Sequence, residues 1–98
     1  MSVLATADLF IKPDRVDELL GILRDALPDT RAYEGCEGLD LFVDQDEPGH
    51  ILMVEKWSER AAHETYLGWR QEQGMFDVLA DFVSAPPRFM YFDPRPDV

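Results

Sequence analysis

The sequence predicts an α+β domain: an antiparallel sheet of four strands with both main helices on one face, the split βαβ order of ferredoxin-like domains. Three observations carry that expectation. Stretches with apolar residues at every second position alternate with stretches that repeat every third or fourth, in the order β, α, β, β, α, short helix, β. The second and third strands are separated by DQDEPG, Asp44 to Gly49, a run of turn residues that suits an antiparallel hairpin with a longer loop. At 98 residues the chain has room for one domain with a thin core, which we assign to residues 1–93, leaving 94–98 as a short tail.

Val3, Ala5, Ala7, Leu9 and Ile11 alternate with Leu4, Thr6, Asp8 and Phe10, so the first strand has one drier face. Pro13 and Asp14 close it and open a helix in which Val16, Leu19, Leu20, Leu23 and Leu27 follow helical spacing. Pro28 lacks a backbone N–H and is expected to end or kink that helix. Glu34 to Gly38 reads as a turn into a second strand, where Leu39, Leu41 and Val43 alternate with Asp40, Phe42 and Asp44. His50 to Trp57 is the third strand. Ser58 is the expected N-cap of the second helix, with Glu59 in its first turn, and that helix runs to about Gln73. Gly74 breaks it. A short helix follows with Met75, Leu79, Phe82 and Val83 inward, and Pro86 and Pro87 separate it from a last strand, Arg88 to Phe92.

Hydrophobic residues make up 46% of the chain and aromatic residues 11%, and both faces of the sheet carry large apolar side chains while two helices cover only one. Leu4, Phe10 and Phe42 fall on the uncovered face, where a second subunit is expected, making a homodimer. Twenty acidic against nine basic residues give a formal charge of −11 spread along the chain. No nucleic acid and no membrane partner is expected, because binding phosphate needs a basic face. Cys36 is the single cysteine, so one chain forms neither a disulfide nor a thiolate metal cluster, and a reducing compartment fits. MSVLATADLF has no basic region followed by an apolar stretch of signal length, and no apolar run approaches a membrane span; a cytoplasmic protein is expected. The two histidines are separated, and His50 reads as a turn residue, so no metal site is expected.

The stretch YEGCEGLDLFVDQDEPGHILMVEKWSERAAHETYL, Tyr33 to Leu67, combines several local features. It has a glycine-cysteine turn into a strand, an acidic turn with proline, an E-x-W at the end of the next strand, and a helix starting within two residues of that tryptophan. In these features it resembles the core of the antibiotic biosynthesis monooxygenase domain family. The resemblance implies a dimeric α/β barrel with the two sheets face to face, and a pocket in each subunit between its own sheet and helices. Members of that family include cofactor-free oxygenases that turn electron-rich phenols or quinols into quinones, haem-degrading enzymes, isomerases, and proteins without known activity. The oxygenases that make polyketide quinones carry an asparagine four residues before the tryptophan, a tyrosine six after it, and an arginine on the following helical segment. Here Met53, His63 and the neighbourhood of Asp77 hold those places, while Trp57 is kept. The haem-degrading members use an asparagine on strand one, an aromatic on the second helix and an iron-ligating histidine on the third. Here Ala7 and Tyr66 hold the first two places and Met75 to Val83 contains no histidine, so no haem cofactor is expected. Many relatives carry a histidine nine residues after the tryptophan, where this chain has Tyr66.

Ile51, Met53, Glu55 and Trp57 share one face of the third strand. If that face meets the helices, Glu55 is a carboxylate in apolar surroundings, with a raised pKa suited to taking a phenolic proton. The alternative is a structural ion pair with Arg60, Arg70 or Arg88. His63 is a second candidate base if it faces the sheet, and a surface residue if it does not. Ala62, Tyr66 and Trp69 form a packing stripe, and the Tyr66 hydroxyl could orient a ligand. The catalytic candidates are therefore Glu55, His63 and Tyr66, and the expected walls around a small aromatic molecule are Met53, Trp57, Phe76, Leu79 and Phe82. A cofactor-free oxygenase needs a base, a dry pocket, and a substrate whose anion passes an electron to dioxygen. With no metal-ligand cluster and no Gly-rich phosphate loop in the sequence, the substrate itself is expected to supply the redox chemistry. A binding protein that keeps the pocket without oxygen chemistry is the alternative, with Met53 in its favour. An isomerase or cyclase acting through Glu55 or His63 is the third reading.

Overall fold

The computed structural model describes residues 2–98. Its elements are β1 (Val3–Ile11), a single 3₁₀ turn (Pro13–Arg15), α1 (Val16–Ala32), β2 (Cys36–Val43), β3 (His50–Trp57), α2 (Arg60–Glu72), α3 (Met75–Ala80) and β4 (Val83–Phe92). The strands form one antiparallel sheet in the order β2-β3-β1-β4. This is the α+β split βαβ arrangement expected from the sequence.

The period of two in β1 buries Ala5, Ala7, Leu9 and Ile11 under the helices. The β1–β3 register pairs Ala5 with Glu55 and Ala7 with Met53, so the same side of β3 presents Ile51, Met53, Glu55 and Trp57. From α1, Val16, Leu19, Leu23, Leu27 and Thr30 form one inward stripe at steps of three and four residues. Each buried leucine there contributes about 2 kcal/mol of hydrophobic stabilisation. The core has two parts. One lies under α1 and includes Leu9, Ile11, Leu23, Ile51 and Phe82; the other centres on Ala5, Trp57 and Tyr66 under α2.

Four local expectations are corrected. Pro28 does not end α1, which continues to Ala32. Both Pro28 and Arg24, whose carbonyl loses its partner, are exposed, so that carbonyl is open to solvent and the missing hydrogen bond costs little. Cys36 and Gly38, expected in a turn, already pair with β3 across a register shift. Ser58 does not cap α2: Glu59 holds that position, and no side chain bonds the free amides. The Ser58 amide instead donates to the Gly35 carbonyl at 2.8 Å, which ties it to the turn before β2 and starts the helix one residue later. Gly35 has φ +93°, and a Cβ there would stand 2.6 Å from Ala62 Cβ, so both conformation and space demand glycine.

β4 starts at Val83 and runs through Pro86 and Pro87, which the sequence reading placed before the strand. The strand tolerates them because it is an edge, and its register with β1 shifts between Asp8 and Phe10 and again before Ile11, interrupting the ladder there. Val83 accordingly belongs to β4, and Phe82 is buried in the turn between α3 and β4.

The other face of the sheet carries no helix. Leu4, Phe42 and Phe92 are exposed on it, and Phe10 stacks on His50 with ring centroids 5.0 Å apart. Thr6 is buried at its middle, and Thr6 Oγ1 is the only buried side-chain polar atom among the described residues without a hydrogen-bond partner. No described helix is long and apolar enough to cross a membrane.

Candidate active site

Strand alternation brings Glu55 and Trp57 to the same side of β3, and the indole Nε1–H donates to Glu55 Oε1 at 3.0 Å. Trp57 is fully buried and Glu55 nearly so. Above them, α2 buries His63, Tyr66 and Arg70, spaced i, i+3 and i+7, so three polar side chains of one helix point into the interior.

Between the sheet and the three helices lies a cavity of about 70 Å³. Its wall is apolar, with Leu9, Leu23, Leu39, Met53, Phe76, Leu79 and Phe89 among the contributors, and is broken by three polar side chains, Glu55, Tyr66 and Arg70. That volume is about half of the roughly 150 Å³ that an apolar cavity offers a benzene ring. Met53 and Met75 stand on the wall, and their unbranched side chains can swing aside to admit a ring.

Burial pushes the Glu55 carboxyl above the usual carboxylate range, and the Trp57 hydrogen bond partly opposes the rise. Among the described residues no arginine forms an ion pair with Glu55; Arg60 pairs with Glu64 at 3.5 Å instead. Burial pulls His63 down to about 4, against a smaller upward pull from Glu64, so its ring is neutral at pH 7. His63 Nδ1 lies 2.6 Å from Tyr91 Oη, while Nε2 is 3.8 Å from Glu55 Oε1, too far for a hydrogen bond. Tyr66 Oη is 2.6 Å from Thr30 Oγ1 and accepts from Arg70 Nε at 2.8 Å. Arg70 Nη2 donates to Thr30 Oγ1 at 2.9 Å and to the Ala26 carbonyl at 2.8 Å. The guanidinium lies against the Trp69 ring, 4.6 Å from its centroid.

The cavity thus brings together Glu55, Tyr66, Met53, Phe76 and Leu79. Trp57 and His63 are packed behind Glu55, and Phe82 lies in the core with Leu9 and Ile11; none of these three borders the cavity. The sequence offers Arg70 only as a possible ion-pair partner of Glu55, not as the cavity-wall residue it is, and Thr30, behind the wall, escaped the sequence reading. The signal for Arg70 is its spacing from His63 and Tyr66; Thr30 completes the stripe of α1, three residues after Leu27.

His50 is also more than a turn residue. It opens β3 on the uncovered face, with Nε2 2.7 Å from Asp8 Oδ1 and Nδ1 3.0 Å from Asp44 Oδ2, and these carboxylates raise its pKa. Asp44, Glu47 and His50 each offer a ligand atom within 4.8 Å of the others, a grouping that sequence distance did not suggest. Hydrogen bonds already engage it, because Asp44 Oδ1 accepts from the amides of Asp46 and Glu47.

The family model described as antibiotic biosynthesis monooxygenase matches residues 2–73. A curated relative, "Putative monooxygenase YcnE" of Bacillus subtilis (strain 168), is 29% identical over 84 residues, covering 86% of this chain and 88% of its own. A crystal structure described as an antibiotic biosynthesis monooxygenase superposes with a TM-score of 0.85 at 29% identity, over 96% of this chain and 99% of that one. Rv0793 from Mycobacterium tuberculosis shares the fold, with a TM-score of 0.84 at 22% identity over 97% and 96% of the two chains. The family match runs from β1 to the end of α2, and so contains both the strand that carries Glu55 and the helix that carries Tyr66 and Arg70: the chain belongs to the antibiotic biosynthesis monooxygenase family.

Proposed function

We propose that this chain is a cofactor-independent monooxygenase that oxidises a small phenolic or quinol-type aromatic molecule in the cavity between sheet and helices, with Glu55 as the base. The observation that supports this most is the setting of Glu55. It is the one carboxylate on the wall of an apolar cavity, it has no cationic partner among the described residues, and burial raises its affinity for a proton toward that of a phenol.

Glu55 accepts the proton of the bound phenol. The phenolate passes one electron to dioxygen, the two radicals combine at a ring carbon, and the protonated peroxide loses water to leave a carbonyl. One oxygen atom ends in the quinone and the other in water, and the substrate supplies all four electrons. The Trp57 indole fixes the carboxylate in place. Neutral His63 packs behind it without competing for the substrate proton. The apolar wall keeps bulk water from the intermediates.

A homodimer covers the open face of the sheet in this reading, supported by exposed Leu4, Phe42 and Phe92 and by the unpartnered Thr6 Oγ1. The single free thiol of Cys36 fits a reducing, cytoplasmic setting. A binding protein without oxygen chemistry is the second reading, favoured by Met53 on the cavity wall where the oxygenases it resembles carry asparagine. Oxygen uptake on a panel of phenols and hydroquinones separates the two. Substrate-dependent uptake by chelator-treated protein is expected; aromatics that bind without any uptake would favour the second reading.

A further inference from the structure

Arg70 is 6% exposed, borders the cavity, and forms no ion pair among the described residues. A buried cation without a counter-charge is costly, and it persists where hydrogen bonds or a ligand compensate it. Counting protons shows how far the protein compensates this one. Nε donates to Tyr66 Oη, and Nη2 donates to Thr30 Oγ1 and to the Ala26 carbonyl. The two hydroxyls share a single hydrogen bond, so one of their two protons has no acceptor among the described residues. Both protons of Nη1 are likewise without an acceptor there, yet Nη1 is not sealed in, because Thr6 Oγ1 is the only buried unpartnered side-chain atom. Arg70 and Tyr66 therefore bring to the cavity wall a positive charge and a donor surplus that no neighbouring acceptor among the described residues matches. Glu55 does not fill that role, since it stands on the wall without contacting the guanidinium and its acidity owes nothing to it.

We propose that the natural ligand is an aromatic carboxylate, whose anionic group docks on Arg70 Nη1 and the Tyr66 hydroxyl while its ring lies among Met53, Phe76 and Leu79. The inference rests on the cavity being the ligand site, and it narrows the substrate to phenols or quinols that carry an acid group. A carboxylate matches a guanidinium edge and accepts from a hydroxyl at once, whereas a neutral quinol leaves the charge unbalanced.

The test is anaerobic calorimetry at pH 7.5 with 2,5-dihydroxybenzoate against 2,5-dihydroxybenzamide, and with benzoate against benzamide, on wild-type protein, Arg70→Met and Arg70→Lys. The expected result is that each acid binds the wild type about tenfold to a hundredfold more tightly than its amide. That ratio falls close to one in Arg70→Met and is partly kept in Arg70→Lys, which retains the charge without the planar fork. Should Arg70→Met fail to fold, the wild-type ratio and its decline with added salt decide the matter. Equal affinity of acid and amide, no binding of either acid at millimolar concentration, or a ratio unchanged in folded Arg70→Met would overturn the inference. Oxygen uptake with the same compounds tells the two readings apart. Acid preference without uptake leaves the anion site standing and removes the monooxygenase, while uptake on a neutral quinol with no acid preference does the reverse.

Discussion

His63 to glutamine changes one buried ring on α2 and should alter how stability depends on acid. The imidazole titrates at 6.5 when free and at about 4 in the fold, where burial disfavours its charged form. Between those values the unfolded chain binds more protons than the folded one, so the ring's contribution makes stability rise with pH across that window and fall as pH drops through 6.5. At pH 5 the cost is about 1.36 kcal/mol for each pH step below 6.5, or about 2 kcal/mol, and it levels off below pH 4. Urea unfolding at pH 7.5 and pH 5.0, at one fixed protein concentration, measures it. The variant should be the less stable protein at pH 7.5, having lost the Tyr91 contact, and the gap should close by about 2 kcal/mol at pH 5.0. Glu55 works in the opposite sense, because its raised folded pKa favours the fold at low pH and loses that advantage as pH rises through the folded value. Repeating the pair in a Glu55→Gln background removes that contribution. Parallel pH dependence of the two proteins in both backgrounds would refute the claim that His63 is held neutral by burial.

Glu55→Gln should lower turnover roughly a hundredfold to ten-thousandfold while leaving ligand affinity within a few fold, as steady-state kinetics and calorimetry on one substrate would show. His50→Gln should carry the opposite pH signature to the His63 variant. Asp8 and Asp44 raise the His50 pKa, so its stabilisation is full below pH 6.5 and disappears as pH rises through the folded value, and thermal melts of variant and wild type should diverge at pH 5.5 and converge at pH 9. Phe42→Glu places a charge on the open face, where it should convert a wild-type dimer into a monomer by light scattering at micromolar concentration; a wild-type monomer would remove the barrel.

The strands and helices were legible because their apolar periods of two and of three to four were uninterrupted. The local errors share one cause, since each depends on what a distant segment does. Pro28 reads as a helix stop until its carbonyl partner, Arg24, is known to face water. Pro86 and Pro87 read as strand breakers until β4 is known to be an edge with a shifted register. Ser58 reads as a cap until its amide is known to bond Gly35. In the site, Glu55, Tyr66 and Met53 were accessible from strand alternation and helix spacing. The packing of Trp57 and His63 behind Glu55, rather than on the cavity wall, was not, because it depends on the height of α2 above the sheet and on Tyr91 from β4. The carboxylate pair around His50 joins residues 8, 44 and 50: the β2–β3 hairpin brings Asp44 to His50, and only the β1–β3 register adds Asp8.

The central claim is that the chain oxygenates a phenol or quinol using electrons from the substrate alone, with Glu55 as base. Turnover under ¹⁸O₂ tests it most directly, with chelator-treated protein, no added cofactor, and mass spectrometry of the quinone formed. The expected result is one labelled oxygen in each new carbonyl, one equivalent of dioxygen consumed for each quinone, and loss of both in Glu55→Gln. Unlabelled quinone, hydrogen peroxide in place of water, or an equal rate from Glu55→Gln would contradict it.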